Sequence, residues 1–420
     1  MACLMHCHLR KCIQGSLEQH MARVEVKSFS VPPEERLDMV IAWKDDGEAM
    51  FHDICWKAIT DSFTMDNPFS FEAKEKEMVR EAWRTAEYCD SRERVERESQ
   101  RIVDLLKSAK YAIAFTGAGI STAAGIGDYR GKSGKWTERD RQGRFALFSG
   151  RNNVPKKPTY PPTSDSMTSM SSVTSTTSSG EGGFCYERLR PTYTHEALAK
   201  LLELGYLKHI LSQNTDGLHR LSGVPRDKIS ELHGNSFHER CEKCAARYER
   251  PYAVKRVHGS SVPPKICQHC HVNHRTGRRC ERKDCDGYLI NTIINFGDGL
   301  EHQVLSAAEE NAQRSDMVLC LGSTLRVTPA CDLVEMGQKP IRLVICNRQV
   351  TPFDRLCYSS LEPGGEHLGS RVYYDLDALM KQIMTDIIEK ETLQEWTDGH
   401  QQRMEAYAKQ RRPVDDTDIG

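Results

Sequence analysis

Apolar positions fall along the chain in short runs of strand length, separated by stretches in which they recur at helical spacing. Ala112 to Phe115, Leu207 to Leu211, Met317 to Leu321 and Arg342 to Cys346 read as buried strands. Leu289 to Phe296 alternates apolar with polar, as a half-buried strand does. The helical stretches lie between and after them: His195 to Leu204, closed by Gly205; about Glu301 to Arg314; and a C-terminal stripe of Leu379, Met380, Ile383, Met384, Ile387 and Ile388. Upstream, Val79, Trp83 and Ala86, then Ile102, Leu105 and Leu106, predict two charged helices leading into the first strand. Helices alternating with apolar strands that end in small or hydrogen-bonding residues predict an α/β fold with a doubly wound parallel sheet.

Ligands of such sheets bind at the carboxyl ends of the strands. The first strand runs into Gly117-Ala118-Gly119 and small residues suited to a helix start, an arrangement that turns backbone N–H groups toward a pyrophosphate. Asp128, Tyr129 and Arg130 follow, adding an acid, an aromatic face and a guanidinium. The second strand ends at Gln213-Asn214-Thr215-Asp216, and Leu232-His233-Gly234-Asn235 repeats an amide and imidazole cluster close by. Later strands end at Gly297-Asp298, at Gly322-Ser323-Thr324 and at Asn347.

Cysteine usage adds metal chemistry. The sixteen cysteines and the lack of a signal-peptide pattern fit zinc thiolates in a reducing compartment better than disulfides. Cys241-x-x-Cys244 is a zinc knuckle whose partner is either Cys267-x-x-Cys270 or Cys280-x4-Cys285. A closed four-thiolate site here is structural, since it leaves no position for water. Cys7, Cys12, His52 and Cys55 could form a second, N-terminal finger.

The net charge of −1 argues against duplex binding through a broad basic surface, and no apolar run approaches the ~18 residues that cross a bilayer. Residues 150–190, rich in Ser, Thr and Pro, cannot bury a core and are expected to be a disordered insertion. The tail after Gly399 is expected to be mobile. Arg411-Arg412-Pro and Lys156-Lys157-Pro are too short to count as import signals.

Taken in order, Gly117-Ala-Gly-Ile-Ser-Thr122, Asp128-Tyr-Arg-Gly131, Gln213-Asn-Thr-Asp216, Leu232-His-Gly-Asn235, the two knuckles, Phe296-Gly297, Gly322-Ser323 and Asn347 resemble the sirtuin family. Gly134-Lys-Trp136, the Thr-Ala-Ala segment and Thr276-Gly-Arg before Cys280 are most similar to its nuclear, chromatin-acting branch of sirtuins six and seven, with Tyr129 favouring the latter. The resemblance implies a Rossmann-like domain with a smaller zinc-binding lobe. The domains are then an N-terminal region over 1–70, a charged helical lead-in over 71–110, a catalytic domain over 100–385 containing the insertion and a zinc lobe over 236–290, and a C-terminal helix and tail over 386–420.

It further implies an NAD-dependent protein lysine deacylase that releases nicotinamide and O-acyl-ADP-ribose, with histone tails or other chromatin proteins as substrate and the nucleus, otherwise the cytoplasm, as its place. His233 is the implied base, with Asn214 and Asp216 orienting the ribose and a water. The implied NAD contacts are Gly117, Ala118, Gly119, Thr122, Asp128, Tyr129, Arg130, Trp136, Gln213, Asn214, Asp216, His233, Gly322, Ser323, Thr324, Asn347 and Gln349. Phe296 and Gly297 line the substrate peptide. The implied zinc ligands are Cys241, Cys244, Cys280 and Cys285, which leaves Cys267 and Cys270 as a spare pair for a ligand switch or a second metal. Gly127 stands where most members of the family have proline. ADP-ribosyl transfer or NAD hydrolysis on the same site, and a non-catalytic chromatin scaffold, are the competing readings.

Overall fold

The computed structural model describes residues 21–25, 48–52, 87–127, 185–362, 365–415 and 418. A six-stranded sheet runs in the order β12-β11-β10-β3-β4-β5 and a separate four-stranded sheet in the order β7-β6-β9-β8. The large sheet is built from β3 (Ala112–Thr116), β4 (His209–Ser212), β5 (Ile229–Glu231), β10 (Met317–Leu321), β11 (Arg342–Cys346) and β12 (Ser370–Val372). Its pairs β10–β11, β11–β12 and β4–β5 are parallel. The small sheet holds β6 (His238–Cys241), β7 (Arg247–Glu249), β8 (Arg275–Arg279) and β9 (Tyr288–Asn291), all paired antiparallel. The fold is α/β and Rossmann-like, with a distinct antiparallel lobe that carries the cysteine knuckles over 241–285. A short antiparallel hairpin, β1 (Met21–Glu25) with β2 (Glu48–His52), stands outside both sheets.

The chain divides into two compact units, one comprising residues 1–115, 130–134 and 312–389, the other 116–129, 135–311 and 390–420. In the first, α1 (Arg92–Ser108) starts at Ser91, whose Oγ accepts from the Arg94 N–H at 3.3 Å. It buries Val95, Ile102, Val103 and Leu106 on one face, and Ser99 on that face donates to Asp386 of α5 (Leu376–Ile387) at 3.3 Å. The stripe read from the sequence is the face α5 buries: Leu379, Met380, Ile383, Met384 and Ile387. Every residue of β3 and β10 is buried, as their unbroken apolar character predicts. The other lead-in positions, Val79, Trp83 and Ala86, and residues 150–184 of the expected insertion lie outside the described residues, whereas its end is ordered: Tyr186–Arg188 form a 3-10 turn and Leu189 is buried.

The second unit contains α2 (Tyr193–Glu203), the helical turn α3 (Leu218–Leu221), most of α4 (His302–Arg314), α6 (Lys390–Asp398) and α7 (His400–Gln410). The expectation of a mobile tail is corrected here. Arg403, His400 and Tyr407 all converge on the buried carboxylate of Glu196 in α2, at 2.8, 3.0 and 2.9 Å. Tyr407 is buried with Leu189, Leu218 and Leu221. A polar helix is held because its few inward side chains satisfy a buried acid that would otherwise be costly.

Candidate functional site

Two glycines shape the turns on which the site rests. β3 delivers the chain to Gly117, and residues Ala118–Ala124 form a 3-10 helix in place of the expected α-helix start, ending at Gly125 with φ +89. The Gln213 N–H donates to the Thr116 carbonyl at 2.9 Å, so the ends of β3 and β4 are tied just before their loops diverge. Asn214 is buried and its Nδ2 donates to the Gly117 carbonyl at 3.1 Å and to Ser121 Oγ at 3.3 Å. Ser121 in turn donates to Asp216 Oδ2 at 2.7 Å, and Asp216 Oδ1 accepts from the Leu218 N–H at 2.8 Å. Both Asp216 oxygens therefore hold protein, and its part is to lock the glycine loop to the Gln213–Asp216 loop.

His233 stands against the second of these loops. Its Nδ1 is 3.1 Å from the Gln213 carbonyl oxygen, which can only accept, so Nδ1 carries the proton and Nε2 keeps its lone pair. Burial holds the imidazole below its ordinary pKa, partly opposed by that carbonyl. A neutral imidazole with a fixed tautomer is what a general base requires. Gly234, at φ +80, brings the backbone so close to Thr292 that a Cβ would run into its carbonyl. Asn235 completes the turn, donating from Nδ2 to Glu231 at 2.6 Å and accepting the Phe237 N–H at 2.8 Å.

The other unit presents two strand ends of the same kind. Gly322 leaves β10 at φ +66, its N–H donating to the Cys346 carbonyl at 3.0 Å, and Ser323 Oγ accepts from the Leu325 N–H at 3.1 Å. Asn347 follows β11, and its Nδ2 donates to the Gln349 carbonyl at 2.9 Å. Beneath that loop sits Arg371, 1% exposed. It donates to Asp354 Oδ1 at 2.7 Å and to the carbonyls of Gln349, Val372, Asn347 and Ile345 at 2.6, 2.8, 2.9 and 3.3 Å.

In the lobe, Cys241, Cys244, Cys280 and Cys285 come together with all four sulfurs within 4.8 Å of one another. Cys241 Sγ lies 3.6 Å from Cys285 Sγ, and Cys244 Sγ 3.6 Å from Cys280 Sγ. Two backbone N–H groups, of Lys243 and Cys244, point at Cys241 Sγ at 3.4 Å, as they do toward a thiolate. Gly287 is needed beside it, since a Cβ there would stand 2.6 Å from that sulfur. Four thiols at this spacing fit one structural zinc, so the choice between second pairs falls on Cys280 and Cys285. The spare Cys267 and Cys270 gather elsewhere.

Asp128, Tyr129, Arg130 and Trp136 lie outside the described residues, as do Cys7, Cys12 and Cys55. Ser121 sits within the first motif but was given no role by the sequence. Arg371 drew no expectation, and Arg411 only that of a basic pair too short for an import signal. Arg411 Nη2 donates to the Gly217 carbonyl at 2.7 Å and its guanidinium lies 3.6 Å from the centre of the Phe237 ring, bracing the turn after Asp216. Only its charge was visible in the sequence.

Comparison with known proteins gives a consistent picture. The profile of the Sir2 family matches residues 117–329. "NAD-dependent protein deacetylase SRT1" of Oryza sativa subsp. indica is 34% identical over 270 residues, 64% of this chain and 46% of that protein. "NAD-dependent protein deacetylase sirtuin-7" of Bos taurus is 36% identical over 279 residues, 64% of this chain and 58% of that protein. "NAD-dependent protein deacetylase Sirt6" of Drosophila melanogaster is 32% identical over 273 residues, covering 64% and 72%. The chain thus spans about half the length of the first two relatives.

Proposed function

The chain belongs to the Sir2 family, and from that premise we propose that it is an NAD-dependent protein lysine deacylase. The observation that carries the proposal is the His233 tautomer, fixed by the Gln213 carbonyl so that a lone pair at Nε2 is available in a half-buried position. NAD, when bound, supplies an anomeric carbon from which nicotinamide departs and to which the acyl oxygen of the substrate bonds. His233 Nε2 takes the proton of a ribose hydroxyl, freeing that oxygen to attack the acyl carbon. Asn214 fixes the Gly117 carbonyl and so the loop that lies against the dinucleotide, while Asp216, through Ser121 and the Leu218 N–H, is a positioning residue.

On the family resemblance, Gly117, Ala118, Gly119, Thr122, Gln213, Gly322, Ser323, Thr324, Asn347 and Gln349 are assigned to NAD, together with Asp128, Tyr129, Arg130 and Trp136. Gln213 follows the carboxyl end of β4, and Gly322 and Asn347 those of β10 and β11, all in parallel pairs, the place where such sheets bind nucleotides. Phe296, 53% exposed, and Gly297, at φ +100, form the turn beyond β9 and are assigned to an extended acyl-lysine peptide on the family resemblance. The zinc of Cys241, Cys244, Cys280 and Cys285 holds the lobe and takes no part in the reaction.

Histone tails as the substrate and the nucleus as the place rest on the branch-specific residues of the sequence. Among the described residues no helix is long and apolar enough to cross a membrane. Incubating the protein with NAD and acetyl-lysine peptides, histone and non-histone, tests the reading by mass spectrometry. Peptide-dependent nicotinamide release is expected, and NAD consumption indifferent to peptide would overturn it.

A further inference from the structure

The spare cysteine pair adopts the backbone of a metal knuckle. In the first knuckle the Lys243 N–H points at Cys241 Sγ at 3.4 Å, the Ala245 N–H donates to the Cys241 carbonyl at 3.1 Å, the Cys241 N–H donates to the Ala246 carbonyl at 2.8 Å, and Ala245 takes φ +58. The segment from Cys267 repeats this bond for bond. The His269 N–H points at Cys267 Sγ at 3.4 Å, the His271 N–H donates to the Cys267 carbonyl at 3.1 Å, the Cys267 N–H donates to the Val272 carbonyl at 2.9 Å, and His271 takes φ +60. A left-handed conformation at a residue with a side chain is held at some cost. Its recurrence at the same place in both turns points to the same use.

The remaining donors are His274, four residues beyond Cys270, and Asp298 of the loop after β9. Cys270 Sγ is 3.1 Å from His274 Nε2, Cys267 Sγ is 3.2 Å from Asp298 Oδ1, and His274 Nε2 is 3.4 Å from Asp298 Oδ2. All four donor atoms lie within 4.8 Å of one another. Tetrahedral zinc with bonds of about 2.0–2.3 Å separates its donors by roughly 3.3–3.8 Å, close to the spacing found. The imidazole is prepared as well: His274 Nδ1 lies 3.1 Å from Asn291 Oδ1, which accepts the hydrogen bond of Nδ1–H and leaves Nε2 to face the thiols. Asp298 is fixed by the Asn295 N–H at 3.0 Å. Gly297 allows the approach, since a Cβ there would stand 2.9 Å from the His269 carbonyl.

We propose that Cys267, Cys270, His274 and Asp298 form a second zinc site, separate from the four-cysteine site. Four protein ligands close the coordination shell, so the metal is structural. It ties the segment over 263–274 to the loop carrying Phe296 and Gly297.

The test is zinc content per chain of the full-length protein by plasma mass spectrometry. Replacing Cys267 and Cys270 together with alanine should remove one zinc relative to the parent. Any zinc at the N-terminus is common to both proteins, so the difference reads this site alone. An unchanged zinc content in a folded double variant overturns the proposal. Should that variant fail to fold, Asn291→Ala keeps all four ligands and removes only the partner of His274. One zinc should then yield to a chelator about 10–100-fold more readily, and unaltered chelator competition for every bound zinc overturns the proposal equally.

Discussion

Arg371 gives the sharpest forecast about how the site is held. Replacing it with methionine keeps the bulk and removes the charge. Asp354 would then keep a buried carboxylate with only the Thr351 N–H and Oγ1 and the Tyr373 hydroxyl around it, at 3.1, 2.7 and 3.3 Å. The carbonyls of Asn347 and Gln349 would lose the donor that sets their loop. Removing one partner of a buried ion pair costs about 3–5 kcal/mol, because the other charge is left uncompensated. For a domain of this size that is a fall in Tm of roughly 10 °C. Arg371→Lys retains the charge, yet a single ammonium cannot span one carboxylate and four carbonyls, so it should recover only part of the loss. Denaturant unfolding gives the stability and titration with NAD the affinity, and both should fall. A methionine variant within about 1 kcal/mol of the parent would refute the claim that this arginine holds the Asn347–Gln349 loop.

Three further outcomes follow from named contacts. Gly234→Ala places a Cβ against the Thr292 carbonyl at a positive φ, so it should cost about 1–3 kcal/mol and lower turnover by displacing His233; a variant as stable and active as the parent contradicts the geometry. Cys241→Ser should release about one zinc per chain and destabilise the lobe, since thiolate binding is coupled to folding; unchanged metal by elemental analysis contradicts the four-cysteine site. Burial pushes His195, His209 and His219 down to about 3, 4 and 3, so the unfolded chain takes up protons between pH 6.5 and about 4 that the folded chain refuses. Stability is therefore present above pH 6.5 and lost as pH falls, by about 3 kcal/mol for His209 alone. Replacing His209 with asparagine should flatten the pH dependence of denaturant unfolding in that window, and an unchanged slope counts against it.

The strands were the most legible part of the chain. Met317–Leu321 begins and ends where its apolar run does, because a parallel strand covered on both faces has no polar position to blur its ends, whereas the alternation over 289–296 yields a strand only over Tyr288–Asn291. The cluster of Gly117, Asn214, Asp216 and His233 was legible because each residue follows a strand end. What escaped was whatever depended on partners far along the chain. Arg371 reads as an ordinary surface charge until Asp354 and four carbonyls are found around it. Glu196 meets Arg403 across 207 positions, so the polar α7 carried no local sign that it would dock. The stretch after Gly119 read as a helix start, since small residues suit one, yet it closes after Ala124 as a 3-10 turn ending at Gly125. Spacing alone could not choose between Cys267/Cys270 and Cys280/Cys285 because both pairs lie at ligand spacing, and in the fold each has found its own cluster.

The central claim is that His233 is the base of an acyl transfer to ADP-ribose. Following an acetyl-lysine peptide and NAD by mass spectrometry, with the parent and with His233→Ala, tests it most directly. The parent should yield equal amounts of nicotinamide, free lysine peptide and O-acetyl-ADP-ribose, and the variant should keep its circular dichroism while forming almost no deacylated peptide. Deacylation at the parental rate by a folded His233→Ala protein would contradict the account.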